Sequence, residues 1–152
     1  MGGFLDRLEC SLCAAVRPFG PGPAGLCSCG GPLLARYRLE EIRGFLRREE
    51  LRGRVASLWR YAEILPGVRP VTLGEGFTPL LPAERLGREI GLRRLLIKDE
   101  SVNPTGSFKA RGMSVAVSVA AAQGVKVAAA PSAGNAGSAL AAYGGRAGLE
   151  VR

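Results

Sequence analysis

The chain contains no histidine, and that absence removes more chemistry than any other feature of the composition. Ser-His-Asp and Cys-His nucleophilic catalysis are excluded within the chain, as is every zinc site that needs an imidazole. Proton transfer must rest on Lys, Asp, Glu, Tyr, Cys or a bound cofactor. Long apolar runs are missing too, since none approaches the ~20 residues a membrane helix needs. The opening Met-Gly-Gly-Phe-Leu-Asp-Arg-Leu-Glu lacks the basic start and apolar middle of a secretory segment. The expected compartment is the cytoplasm, with no membrane partner. Without a secretory segment, structural disulfides are also disfavoured.

What is present suits a folded domain. A length of 152 residues allows one good core, or a modest core with a small appendage. The 22 glycines follow no collagen-like period. Lys plus Arg number 21 against 13 acids, a net charge of +8 carried mostly by arginine. Such an excess fits nucleic acid, a membrane surface or an anionic small molecule. Here the arginines alternate with glutamates, which favours solvated faces.

All four cysteines fall early, as Cys10-Ser11-Leu12-Cys13 and Cys27-Ser28-Cys29-Gly30-Gly31. Two tight pairs separated by a Pro/Gly-rich turn segment suit a tetrahedral four-thiolate zinc site, each pair on its own hairpin tip. The second pair is one residue closer than the usual spacing, and Gly30 and Gly31 permit the tighter turn. Such a site is structural, a zinc-ribbon-like head over residues 1–35, because four thiolates leave no open coordination position. From Arg36 to Leu65, apolar residues at Leu39, Ile42, Phe45 and Leu46, then at Val55, Leu58 and Trp59, recur at three-to-four spacing. They predict one or two short amphipathic helices in a linker over residues 36–68. A zinc ribbon followed by a basic helix is also the pattern of a nucleic-acid-binding module, with Arg47, Arg48, Arg52 and Arg54 as its contacts. The interleaved acids favour the solvated helix, and no nucleic-acid partner is expected.

Residues 69–152 read as an α/β unit. Gly74-Glu75-Gly76 has no strand-to-helix context and is read as a turn. A strand at Arg94 to Lys98 is followed by a helix to about Ala122. A second strand at Val125 to Ala130, a second helix and a final strand from Leu149 complete the order. Apolar strands alternating with helices predict a parallel sheet. Asn103-Pro104-Thr105-Gly106 breaks the first strand, Ser107 is placed to cap the helix, and Lys109 falls in its first turn. A cation at a helix N-terminus is disfavoured, and a neutral amine is the form that attacks a carbonyl. The loop Pro131 to Ser138 opens the second helix, where free N–H groups suit a carboxylate or phosphate. If the two strands are neighbours, both loops face one crevice.

The stretch Lys98-Asp99-Glu100-Ser101-Val102-Asn103-Pro104-Thr105-Gly106-Ser107-Phe108-Lys109-Ala110-Arg111-Gly112, with Ser132-Ala133-Gly134-Asn135, resembles fold-type II enzymes that use pyridoxal 5′-phosphate. Adding the cysteine pairs, Leu58-Trp59-Arg60-Tyr61 and Gly74-Glu75-Gly76-Phe77-Thr78-Pro79-Leu80, the chain resembles the threonine synthase family from about Cys10 onward. The resemblance implies the N-terminal part of a fold-type II catalytic domain, a parallel sheet with flanking helices behind a small four-cysteine head. It implies that Lys109 holds the cofactor as a Schiff base and later shuttles protons. Phe108 and Asn135 would contact the cofactor, and Ser132, Ala133, Gly134, Asn135 and Ala136 would bind the substrate carboxylate. The family converts the amino acid O-phospho-L-homoserine and water into L-threonine and phosphate. Its full-length members suggest a homodimer.

Two departures from the family pattern stand out. Ala110 stands where many synthases have Asp, and Ala133 and Ala136 stand where a hydroxyl residue often helps hold the carboxylate. The related serine/threonine dehydratases also tolerate a non-acidic residue after the lysine, so a dehydratase is the alternative within the class. In the family, the glycine-rich loop for the cofactor phosphate and the partner of its ring nitrogen lie beyond residue 152. The expectation is therefore an N-terminal fragment that holds the cofactor weakly and turns over poorly.

Overall fold

A computed structural model describes residues 3–22, 25–132 and 134–152. The head is a three-stranded antiparallel sheet in which β1 (Leu5–Cys10) lies between β2 (Val16–Pro18) and β3 (Leu33–Tyr37). Leu8 and Cys10, two apart on β1, both point inward and are buried, as the pleat requires. The β1–β2 turn carries the first cysteine pair. The second pair sits in a tight turn entering β3, where Cys27 N–H donates to Gly31 O at 2.9 Å and Gly30 N–H to Cys27 O at 2.8 Å. That turn needs glycine twice. Gly30 has φ +84, and a Cβ on Gly31 would lie 2.6 Å from the Cys10 sulfur.

The linker forms α1 (Leu39–Phe45), which buries only Ile42. Two 3-10 turns follow at Glu50–Gly53 and Leu58–Ile64, the second opened by Ser57 Oγ accepting from Trp59 N–H at 3.2 Å. Phe4 stacks on Phe45, with ring centroids 5.4 Å apart and the Arg38 guanidinium 5.8 Å from the Phe4 centroid. This cluster closes the head onto the linker.

In the remaining part, β4 (Leu80–Pro82) precedes α2 (Glu84–Glu89) and β5 (Leu96–Lys98). Then come α3 (Lys109–Ala122), β6 (Val127–Ala128), α4 (Asn135–Ala147) and β7 (Glu150–Val151). The parallel-sheet expectation holds for one pair among the described residues: β6 and β7 are parallel and joined through α4. By contrast, β5 is antiparallel to β4, with Leu81 opposite Ile97. The sequence hid β4 because Pro79 precedes it and Pro82 is its last residue, and proline is uncommon in strands. A strand with open edges tolerates such prolines. Leu96 and Ile97 are consequently 39% and 47% exposed, so the apolar run that looked buried on both faces is not.

The core lies between α3 and α4: Ala110 and Val117 from one, Leu140 and Tyr143 from the other. Val71, Met113, Ala128 and Val151 pack around them. The C-terminal turns of both helices, at Ser118, Ala121 and Ala122 and at Arg146 and Ala147, line a single cleft of about 470 Å³. The two helices therefore run in the same direction, and their N-termini share the opposite end. No described helix is long and apolar enough to cross a membrane.

Candidate functional site

Lys109 is the first residue of α3 and Asn135 the first of α4. The expected crevice between adjacent strands is thus replaced by the shared N-terminal end of two packed helices. Lys109 is half-buried; its Nζ sits 4.2 Å from the Phe108 ring centroid and makes no ion pair among the described residues. Ser107 does not cap the helix. Its carbonyl accepts from Ala110 N–H at 3.3 Å, and the residue that flanks the helix is Phe108, itself already helical in backbone (φ -61, ψ -14) and without a side-chain cap. The buried hydroxyls of Ser107 and Thr105 are left without partners, beside the lysine that the loop presents.

Around the second loop, Ser132, Gly134 and Asn135 are exposed and Ala136 is half-buried, while Ala133 lies outside the described residues. Ser132 Oγ accepts from Gly134 N–H at 3.2 Å. The first N–H groups of α4 have no intrahelical acceptor, and this end of the helix favours an anion.

Behind Lys109 lies a polar cluster built from its own motif. Glu100 accepts from Arg111 Nε at 2.6 Å, from Arg111 Nη2 at 2.8 Å and from Thr78 Oγ1 at 2.6 Å. Asn103 Nδ2 donates to Glu100 Oε2 at 3.0 Å and Asn103 Oδ1 accepts from Gly76 N–H at 3.0 Å. The Arg111 guanidinium holds the Glu100 carboxyl far down, at about 2, and Glu100 in turn raises Arg111. Lys98 Nζ donates to Thr78 O at 2.6 Å. The loop that carries Lys109 is thereby fixed at both ends.

A second cluster surrounds Glu75, which is fully buried and forms no salt bridge among the described residues. Its carboxylate accepts from Ser114 Oγ at 2.6 Å, Tyr143 Oη at 2.7 Å, Trp59 Nε1 at 3.0 Å and Leu73 N–H at 3.0 Å; Thr72 Oγ1 lies 3.1 Å from both oxygens. Burial pushes this carboxyl up, but the hydrogen bonds from Ser114, Tyr143 and Leu73 outweigh it and hold the group below its ordinary value. Burial, then the facing carboxylate, drives Tyr143 the other way. Glu75, Glu100, Asn103, Arg111 and Tyr143 were all missed as site residues. Four of them stand inside the quoted motifs; for Tyr143 the sequence offers no signal beyond its place on an apolar helix face.

In the head, Cys10, Cys13, Cys27 and Cys29 bring their sulfurs within 4.8 Å of one another. Cys10 and Cys29 are 3.4 Å apart, Cys13 and Cys29 3.4 Å, and Cys13 and Cys27 3.7 Å. Four thiolates at ~2.3 Å from a tetrahedral ion would be ~3.8 Å apart, so the set fits zinc with little adjustment. The Cys29 backbone N–H and the Cys13 thiol pull Cys27 down to about 6, making it the readiest thiolate. Among the linker and head arginines, Arg36 pairs with Glu9, Arg38 with Glu41, Arg43 with Glu40 and Arg54 with Glu63. Of the four arginines a nucleic-acid module would use, Arg54 is held by Glu63 and Glu50, whereas Arg47, Arg48 and Arg52 make no ion pair among the described residues.

The profile of the family described as "Pyridoxal-phosphate dependent enzyme" matches residues 71–152. The threonine synthase of Methanocaldococcus jannaschii is 46% identical over 125 residues, covering 80% of this chain and 31% of that protein. The threonine synthase of Methanosarcina acetivorans is 45% identical over 148 residues, covering 97% of this chain and 36% of its own length. The chain spans about a third of the length of these curated relatives.

Proposed function

Because the chain belongs to the pyridoxal-phosphate dependent enzymes, we propose that Lys109 is the residue that holds the cofactor, and that the reaction served is that of a threonine synthase. In this reading O-phospho-L-homoserine and water become L-threonine and phosphate. The carrying observation is the placement of Lys109 and Asn135 at one end of two packed helices that run in the same direction. The names of the relatives support the choice of reaction.

The local residues fit the cofactor. A primary amine without an ion pair among the described residues, two orphaned buried hydroxyls in the loop just before it and a helix N-terminus form a donor set suited to an aldehyde carrying a phenolate and a phosphate. Pyridoxal phosphate supplies an electron sink when bound. Lys109 Nζ would hold it covalently and, when free, could carry a proton; Asn135 and Phe108 would be its side-chain contacts. Ser132, Gly134, Asn135 and Ala136, with Ala133, hold the substrate carboxylate chiefly through backbone N–H groups. A zinc ion on Cys10, Cys13, Cys27 and Cys29 closes the head over residues 1–35; residues 36–68 are the linker and residues 69–152 the catalytic portion.

The chain has three lysines, Lys98, Lys109 and Lys126, which makes the test direct. Pyridoxal phosphate is fixed to its lysine by borohydride reduction and the label mapped by peptide mass spectrometry. Labelling concentrated on Lys109, and lost in Lys109→Ala, is the expected result. Equal labelling of all three lysines would refute the assignment. Phosphate release from phosphohomoserine, against keto-acid release from threonine, decides between synthase and dehydratase chemistry.

A further inference from the structure

Glu75 is the one fully buried ionisable carboxylate among the described residues, and nothing in the proposed reaction uses it. We propose that Glu75 is a positioning residue, which sets Lys109 against Asn135 by tying the two helices that carry them. The inference rests on the reading of Lys109 as the cofactor lysine.

The geometry supports it from three sides. One oxygen accepts from Ser114, about 7–8 Å along α3 from Lys109. The other accepts from Tyr143, about 12 Å along α4 from Asn135. The adjoining residue reaches the lysine loop directly, since Gly76 N–H donates to Asn103 Oδ1 at 3.0 Å. Glu75 also anchors itself: Leu58 N–H donates to its carbonyl at 2.8 Å and Trp59 Nε1 to its carboxylate. Helices joined by side-chain packing alone can slide by fractions of an ångström. A short carboxylate bridge at 2.6 and 2.7 Å restricts that slide.

The donor inventory shows why glutamate suits the position. The Leu73 N–H and the Trp59 N–H can only donate. The hydroxyls of Ser114, Thr72 and Tyr143 complete a shell that suits an ionised acceptor. Aspartate would keep the charge but fall about 1.5 Å short of both helices. Glutamine keeps the length, but whichever way its amide is turned the NH2 meets a donor-only N–H, that of Trp59 or that of Leu73.

The test uses the full chain and two independent readouts. The single tryptophan, Trp59, is bonded to Glu75 and Ser114, so its fluorescence reports whether the junction is intact without any cofactor. Borohydride-fixed pyridoxal phosphate then gives the apparent Kd at Lys109 and its selectivity over Lys98 and Lys126. Glu75→Asp and Glu75→Ala should weaken apparent affinity at Lys109 about tenfold and erase the selectivity. Glu75→Gln and Tyr143→Phe should each fall between the wild type and Glu75→Ala, because each breaks only part of the junction. Leu8→Ala, on the central strand of the head sheet, removes a buried side chain away from the Glu75 hydrogen bonds and should leave Lys109 selectivity as in the wild type. Should Glu75→Ala fail to fold, Glu75→Gln and Tyr143→Phe carry the same comparison. A wild-type chain without preference for Lys109 defeats the cofactor assignment and this inference together. A wild-type preference that survives in folded Glu75→Asp, or is lost equally in Leu8→Ala, overturns the positioning role alone.

Discussion

Replacing Glu100 by Gln should remove an acid-sensitive part of the stability while leaving the shape of the residue in place. Glu100 has its carboxyl moved from the ordinary 4.5 to about 2, chiefly by the Arg111 guanidinium and then by Thr78 and Asn103. At ~1.4 kcal/mol per pKa unit that corresponds to ~3 kcal/mol. About a quarter of each side chain is open to solvent, and screening reduces the expected contribution to about 1–2 kcal/mol. Its sign follows from linkage. The folded value lies below the unfolded one, so the contribution is complete above 4.5 and is lost as pH falls through about 2. Urea unfolding at neutral pH, at pH 4 and at pH 2.5 should show the wild type losing its advantage over Glu100→Gln across that interval. Parallel pH profiles, separated by a constant amount or by nothing, would refute the claim that the Arg111 pair sets this carboxyl.

Further outcomes follow from other parts of the fold. Purified, reduced protein should carry about one zinc per chain, and Cys27→Ser should abolish it; metal analysis that finds none would remove the head assignment. Gly76→Ala should destabilise the protein by about 2 kcal/mol or more in urea unfolding, because φ is +96 and the new Cβ would stand 2.6 Å from the Leu58 nitrogen.

How much of this could be read beforehand depended on whether the information was local. The strand, breaker and helix start around Lys109 were legible because they follow one another within a short segment. The two cysteine pairs were legible for the same reason. Glu75 was not, since Gly-Glu-Gly alone looks like a turn and its partners Trp59, Ser114 and Tyr143 come from distant positions. The buried face of α3 holds Ser114 and Ser118 beside Ala110 and Val117, so its hydropathy pattern is blurred although the hydroxyls are all engaged. Ser118 Oγ donates to Ser114 O at 2.6 Å and accepts from Val71 N–H at 2.7 Å. The strand β4 was hidden by its prolines, and with it the antiparallel pairing that turns β5 away from the β6–β7 ladder.

The β4–β5 ribbon has a colloidal consequence. Leu80, Leu81, Leu96 and Ile97 lie open on it, and its outer backbone groups offer hydrogen bonds to any extended chain that drifts alongside. Against that stickiness stands a surplus of eight positive charges spread over the surface, which keeps copies apart in dilute buffer. Added salt shortens the reach of that repulsion to within about 10 Å and leaves the greasy ribbon unguarded, so ionic strength sets how long the chain remains dispersed.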